Sequence, residues 1–411
     1  MAETFTVTTS RGSEEVLARE LRRMGLQRVV VEQGAVRFLG PLRDGLRACL
    51  WTRIGSRVLL RLARFDATDA DALYQGVAAI PWIDHLSPDG TLRVDFAGTS
   101  REIRDERFGA LKTKDAIVDS IRARAGRRPD VARDEPDVLV NVHLRSGVAT
   151  VSLDLSGSSL HLRTPGRRTG AAPLKETLAA TLLHLADWPR RARAGEPLVD
   201  PLCGTGTIAI EAAAIAGDLA PGLARPQWGF SRWLGRDESV WQELVAEAEE
   251  RRRARPERGA LVLGSDADAR SLGLARANAR SLGLEGIRFE RRPLAELRPP
   301  EGPTGIVVTN PPYGERLESV DRAAEIYREL GDVLRRHMLG WNAFVLAPLG
   351  PLTRSLGLRP SARHIVFNGP IECRVLEVAI AATAPARVAA GAREPETTDE
   401  VELPLGEEFE D

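Results

Sequence analysis

An α/β chain is predicted, with a parallel sheet covered on both faces in the second half and smaller α+β units before it. Three observations carry this. From about residue 174 short apolar strands alternate with helices, the rhythm of a doubly covered parallel sheet. Before that point βα and ββ connections are mixed, which suits α+β sandwiches better than a doubly wound sheet. A length of 411 residues at 43% hydrophobic composition allows two or three cores.

Taken in order, "FTVTTS" reads as a strand, Ser13 as the cap of the helix "EEVLARELRRMG" and Gly25 as its stop. "RVVVEQ" and "GAVRFLG" form a strand pair, followed by helix "DGLRACLWTRIG", strand "RVLLRLARF", helix "DADALYQGVAAI" and strand "TLRVDFAG". A long helix around Lys112 to Arg124 precedes the hairpin "VLVNVHLRSGVATVSLDLSG", whose turn is Ser146-Gly147. Residues 174 to 188 read as a helix, and "PLVDPLCGTGTIAIEAAAIAG" as strand, glycine-bearing turn and apolar helix. Strand and helix then repeat through "ALVLGSDADARSLGLARANARSLG", "IRFERR", "GIVVTNPPYG", "DRAAEIYRELGDVLRRHML" and "NAFVLAPLG".

No apolar run approaches the roughly 20 residues that span a bilayer, and no signal-peptide core opens the chain, so a soluble cytoplasmic protein without membrane contact is expected. Cys49, Cys203 and Cys373 are odd in number and far apart, fitting neither a disulfide framework nor a metal site. Residues 394–411 hold nine acids and no Lys or Arg, and read as a disordered tail. Without them 57 basic residues face 49 acidic ones, a balance that could attract a polyanion. Only Lys112, Lys114 and Lys175 are lysines in a chain where Arg is the default, which suggests sites for a compact ammonium. Oligomeric state leaves no trace in the sequence.

Three short stretches carry chemistry. In "DPLCGTGT" Gly204 and Gly206 let backbone approach a ligand at the end of a strand, and Asp200 would carry a carboxylate into the same crevice. A dinucleotide site would favour three glycines and no acid there, since a carboxylate repels a pyrophosphate. In "VLGSDAD" Asp266 ends the next strand where a carboxylate can accept two ribose hydroxyls, and Asp268 is the cap of the following helix. In "TNPPYGERL" the Asn310 side-chain oxygen and the Pro311 carbonyl could each accept one hydrogen of an aromatic amine. Pro311 and Pro312 would hold that carbonyl still, and Tyr313 would offer a ring face to a base swung out of its helix.

The first of these stretches resembles the first motif of S-adenosylmethionine-dependent methyltransferases, and "NPPY" resembles the fourth motif of those that modify exocyclic amino groups. By itself "NPPY" leaves adenine N6, guanine N2, cytosine N4 and glutamine amides open. Together with "KTKDAIVDSIRARAG", "LDLSGSSLHLR" and "APLKETLAATLLHLADW" it resembles the THUMP-containing RNA guanine-N2 methyltransferases, over roughly residues 3 to 382.

That resemblance implies an N-terminal ferredoxin-like domain (1–65), a THUMP domain (66–165) with a blurred boundary between the two, a Rossmann-like methyltransferase domain (170–383) and an acidic tail (384–411). It implies S-adenosyl-L-methionine held by Asp200, Cys203, Gly204, Thr205, Gly206, Thr207, Asp266, Ala267, Leu294 and Asn310, with Lys175 and Glu176 beside that pocket. Asn310, Pro311, Pro312 and Tyr313 would be catalytic, on a structured ribosomal or transfer RNA and with no metal. Lys112, Lys114 and Asp115 would lie in the RNA-binding region, and Arg163, Arg167 and Arg168 in the adjoining basic segment. Two departures stand out. "RTPGRR" lacks the aromatic usual there, and Pro293-Leu294 replaces the usual Asp of the third motif. "WGFSRW", Trp228 to Trp233, fits core packing and base contact equally. A DNA or RNA adenine-N6 methyltransferase, a non-catalytic RNA-binding protein and a nicotinamide-dependent oxidoreductase are the competing readings.

Overall fold

A computed structural model describes residues 2–163, 166–167, 174–254, 260–313 and 317–382. The first half runs β1 (Glu3–Thr8), α1 (Glu14–Arg23), β2 (Gln27–Glu32), β3 (Ala35–Gly40), α2 (Leu42–Trp51), β4 (Arg57–Asp66), α3 (Ala70–Ala78), β5 (Thr91–Ala97), α4 (Glu106–Ala125), β6 (Asp130–Val131), β7 (Val138–Arg145) and β8 (Val148–Asp154). These strands form one eight-stranded sheet in the order β2-β3-β1-β4-β8-β7-β5-β6.

The hinge of that sheet is β4. Its ten residues pair with β1 on one side, Phe5 against Leu60, and with β8 on the other, Leu60 against Leu153. An edge strand of that length would leave a row of unpaired amides and carbonyls, and pairing on both sides satisfies them. The expected division near residue 65 therefore falls at the end of a strand shared by both units. The hairpin turn is as expected, with Ser146 and Gly147 at φ of 51° and 74°, the left-handed pair that a two-residue turn of this twist requires.

The second half runs α5 (Glu176–Leu185), α6 (Trp188–Arg193), β9 (Leu198–Asp200), α7 (Thr207–Ala216), α8 (Glu238–Arg253), β10 (Val262–Asp266), α9 (Ala269–Ser281), β11 (Arg288–Arg291), β12 (Ile306–Thr309), α10 (Leu317–His337), β13 (Asn342–Pro348), α11 (Leu352–Ser355), β14 (Ala362–Asn368) and β15 (Ile371–Ala379). The sheet order is β11-β10-β9-β12-β13-β15-β14, parallel from β11 to β13 and antiparallel at β15 and β14. All four residues of β12 are buried, as a central strand covered on both faces demands, and Pro311 and Pro312 end its ladder. Strand order reverses between β9 and β12, the point at which an open α/β sheet leaves a crevice at the carboxyl ends of its strands.

Packing crosses the sequence boundary between the halves. Trp228, Phe230 and Trp233 are buried with the core of the first half, Trp228 stacking on Phe230 at 5.6 Å, so the "WGFSRW" segment is core packing. Helix α8 joins the same core through Leu244 and Ala248. Beside it a buried ion cluster seals the seam. Arg53 and Arg163 both reach Glu211 Oε1, at 2.9 and 3.2 Å, and Arg163 also donates to the Arg53 carbonyl at 2.6 Å. Among the described residues no helix is long and apolar enough to cross a membrane.

Candidate active site

The crevice is built from the carboxyl ends of β9, β10 and β12. After β9 the chain turns at Pro201, and the Cys203 amide donates to the Ser265 carbonyl (2.9 Å), which draws the glycine turn across the end of β10. Gly204 and Gly206 have φ of 53° and 85°, a left-handed backbone that side chains resist. A Cβ on Gly206 would stand 3.0 Å from that of Ala275, whereas one on Gly204 would meet nothing within 4 Å and so marks the open face of the turn. Asp266 straps the turn from β10. Its carboxylate accepts from the Gly204 amide (2.9 Å) and from the Asp268 amide (2.9 Å). Asp268 caps α9 as the sequence predicts, accepting from the amides of Arg270 and Ser271.

Ala267 is exposed beside Asp266, and the carbonyl of Thr205 accepts from Asn278 at 3.3 Å. Cys203 is buried under the turn, and burial pushes its thiol upward. Leu294 follows Pro293 in a short 3₁₀ turn and is buried against the core on the α10 face of the sheet. The Thr207 hydroxyl accepts from Arg167 Nη2 at 2.7 Å.

Asp200 differs from expectation. It is 1% exposed, so it presents no open carboxylate to the crevice. The cause is the fully buried three-residue strand that carries it. Its Oδ1 accepts from the Thr309 hydroxyl at 2.9 Å and from the Leu202 amide at 3.3 Å, which ties β9 to β12 immediately before Asn310. Burial pushes the Asp200 carboxyl up to about 7, against the two hydrogen bonds that favour its charged form. A group raised in the folded state contributes stability that is full below its unfolded value near 3.8 and is lost as pH rises through about 7. Asp200→Asn keeps an acceptor for Thr309 and removes the titration. It is expected to match the wild type in melting temperature at pH 4 and to exceed it at pH 8; parallel curves across that range would disprove the buried titration.

At the end of β12 the Tyr313 hydroxyl donates to Asn310 Oδ1 at 2.7 Å. One lone pair of the amide oxygen is used, no other donor among the described residues reaches it, and the amide plane is held. Tyr313 is half-buried against the core that contains Cys373, whose Sγ lies 3.8 Å from its hydroxyl, and burial raises the phenol's pKa. The ring thus orients Asn310, a role for Tyr313 additional to the expected stacking face. Pro311 is buried and Pro312 exposed. Sequence reasoning overlooked Thr309, although it is the first letter of "TNPPY".

The basic segment needs correction. Arg163 is 4% exposed and bound to Glu211 and to the Arg53 carbonyl, so it has no face for RNA. Arg167 also turns inward, pairing with Glu176 at 2.7 Å and donating to the Leu174 carbonyl and to Thr207. Buried Glu176 and Glu211 draw these guanidiniums inside. Arg168 lies outside the described residues. On α4, by contrast, Lys112 is half-buried over the Tyr74 ring and pairs with Asp71 at 3.2 Å, and Lys114 pairs with exposed Asp115. Among the described residues no group of three or more His, Cys, Asp or Glu could hold a metal ion.

The switch-point crevice, the strapped glycine turn and the held amide define a Rossmann-like methyltransferase. Residues 164–377 match the family described as RMKL-like, methyltransferase domain, and the chain belongs to it. Residues 67–154 match the THUMP domain and residues 4–59 the RlmL ferredoxin-like domain.

Among similar proteins, "Ribosomal RNA large subunit methyltransferase K/L" of Syntrophotalea carbinolica is 44% identical over 92% of this chain and 53% of its own length. The Pseudomonas aeruginosa protein of the same name is 43% identical over 91% and 52%. This chain spans about half the length of these relatives. A Listeria monocytogenes structure described as "a predicted N6-adenine-specific DNA methylase" superimposes with TM-score 0.81 at 31% identity, over 92% of this chain and 97% of that one. SMU.472, solved with SAH, gives 0.81 at 29% identity, over 92% and 98%.

Proposed function

We propose that this chain transfers a methyl group from S-adenosyl-L-methionine to the exocyclic N2 of a guanosine in 23S ribosomal RNA or transfer RNA, in the cytoplasm. The observation that carries it is the Asn310 amide, held by Tyr313 at the end of β12, the strand beside the one that leads into the glycine turn. The crevice fits the cofactor. Gly204 leaves backbone uncovered at its open face, and Asp266 ends β10 where a ribose would be accepted. Bound there, the cofactor supplies an electrophilic methyl group on a sulfonium.

An aromatic amine is a poor nucleophile because its lone pair is delocalised into the ring. Asn310 Oδ1 and the Pro311 carbonyl accept its two hydrogens and draw the nitrogen toward sp³ geometry, which frees the pair for attack. The Thr309–Asp200 bond fixes where β12 ends, and so where these acceptors stand. No strong base is needed, since the leaving group departs as a neutral thioether and the methylated nitrogen, then cationic and acidic, gives its extra proton to water.

Two relatives named for ribosomal RNA favour that substrate, and the THUMP match favours RNA. The name of the Listeria structure favours the adenine-N6 reading. Incubation with total RNA and labelled methyl donor, followed by nucleoside analysis, tests both: N2-methylguanosine is expected, and N6-methyladenosine alone would replace the proposal. Lys112→Glu with Lys114→Glu is expected to weaken RNA binding roughly thirtyfold, on the scale of 1 kcal/mol per contact, and to leave cofactor binding intact. Equal loss of both in parallel titrations would remove α4 from the RNA surface.

A further inference from the structure

Arginines without a paired carboxylate are spread over the surface of this chain, and one group of four converges on a single pocket. Arg354 on α11, Arg359 after it, Arg363 on β14 and Arg374 on β15 line a pocket of about 490 Å³ with no acidic residue in its wall. Among the described residues none of the four guanidiniums has an ion pair or a hydrogen bond. Arg354, Arg359 and Arg363 are exposed, and the half-buried Arg374 has a fully buried Nε with no partner. A larger cleft between α1 and α6 is also rich in arginine, but there Asp187 neutralises Arg190, and Asp218 neutralises Arg251.

Position adds to charge. Leu349 and Gly350, which close the pocket, follow directly on the carboxyl end of β13, the sheet edge that also carries Asn310. Strand alternation puts Arg374 on the face of β15 opposite Cys373, the side on which Leu376 packs. Strands β12, β13, β15 and β14 follow one another in the sheet, so the strands that carry Arg374 and Arg363 stand two and three spacings, roughly 10 to 15 Å, from β12.

We propose that this pocket binds backbone phosphates of the RNA strand that carries the target nucleotide, a few nucleotides from the flipped base. This rests on the RNA-methyltransferase reading. Guanidiniums match phosphate oxygens in paired geometry, and these four have no counter-charge among the described residues to give up when a phosphate arrives. Phosphate contacts fix register and orientation while the "NPPY" crevice selects the amine. The pocket therefore acts on RNA affinity and leaves cofactor binding alone.

The test is the double variant Arg359→Glu with Arg363→Glu, both exposed and unpaired, titrated with transcribed 23S ribosomal RNA and with a transfer RNA pool over a range of salt. Affinity for the methylated RNA is expected to fall about thirtyfold or more at 0.1 M salt, with the slope of log affinity against log salt reduced by about two. The cofactor dissociation constant should stay within about twofold. The control reversal Arg23→Glu with Arg193→Glu, in the α1–α6 cleft, should cost no more than about threefold. A control loss as large as that of the pocket variant overturns the proposal, because it would reflect overall charge. Protection of the wild type alone against thermal unfolding by inorganic phosphate, with RNA affinity unchanged in the double variant, overturns it as well, by pointing to a free anion. A wild type that methylates RNA beside an indistinguishable double variant removes the pocket alone. A wild type that neither binds nor methylates any RNA removes the parent reading with it.

Discussion

Asn310→Ala is expected to lower single-turnover methyl transfer by on the order of 10² to 10³ while S-adenosylmethionine binding stays within about twofold, the scale seen when one preorganised hydrogen-bonding group is taken from a reacting centre. The substitution removes the acceptor that the Tyr313 hydroxyl holds at 2.7 Å and leaves the glycine turn and Asp266 untouched. Tyr313→Phe separates orientation from chemistry. It keeps the acceptor and frees its plane, so a loss of roughly tenfold is expected, smaller than that of Asn310→Ala. Quench-flow transfer at saturating cofactor measures both. An Asn310→Ala chain with near-wild-type transfer would eliminate the amide as the amine's acceptor, and equal losses in the two variants would show that the orienting bond is the whole effect.

Glu211→Ala is expected to give the largest loss of stability, about 3 to 5 kcal/mol, because it leaves the Arg53 and Arg163 guanidiniums without a counter-charge at 7% and 4% exposure. In a domain of this size that corresponds to a fall in melting temperature of roughly 10 °C. Glu243→Ala, which breaks the exposed pair with Arg43, should cost under about 1 kcal/mol. Calorimetry of the two variants makes the comparison. Similar small shifts would mean that the seam between the halves does not depend on this cluster. Since Glu211 lies on α7, which begins at the glycine turn, the same variant should loosen the cofactor crevice before the core of the first sheet unfolds.

What could be read from the sequence had local causes. The Ser146-Gly147 hairpin, the cap at Asp268 and the prolines that end β12 each depend on backbone rules acting within a few residues, and all three stand in the structure as expected. The glycine turn and "NPPY" were legible for the same reason, and the strand-helix rhythm placed them at the carboxyl ends of strands. The sequence alone thus determined the fold class and the family, and set the glycine turn and "NPPY" at strand ends.

Only the tertiary structure decided which polar groups face inward. Arg163 and Arg167 read as a basic surface, because nothing near them in the chain announces Glu211 or Glu176 as partners. Asp200 read as an open carboxylate, because its burial comes from β10 and β12 on either side, which are 62 or more residues later in the chain. Trp228 and Phe230 joined the core of the first half, and four arginines from α11, its following loop, β14 and β15 converged on one pocket. Burial and charge pairing are sums over neighbours brought together by the fold, so one-dimensional pattern carries the strands and turns but not the partners.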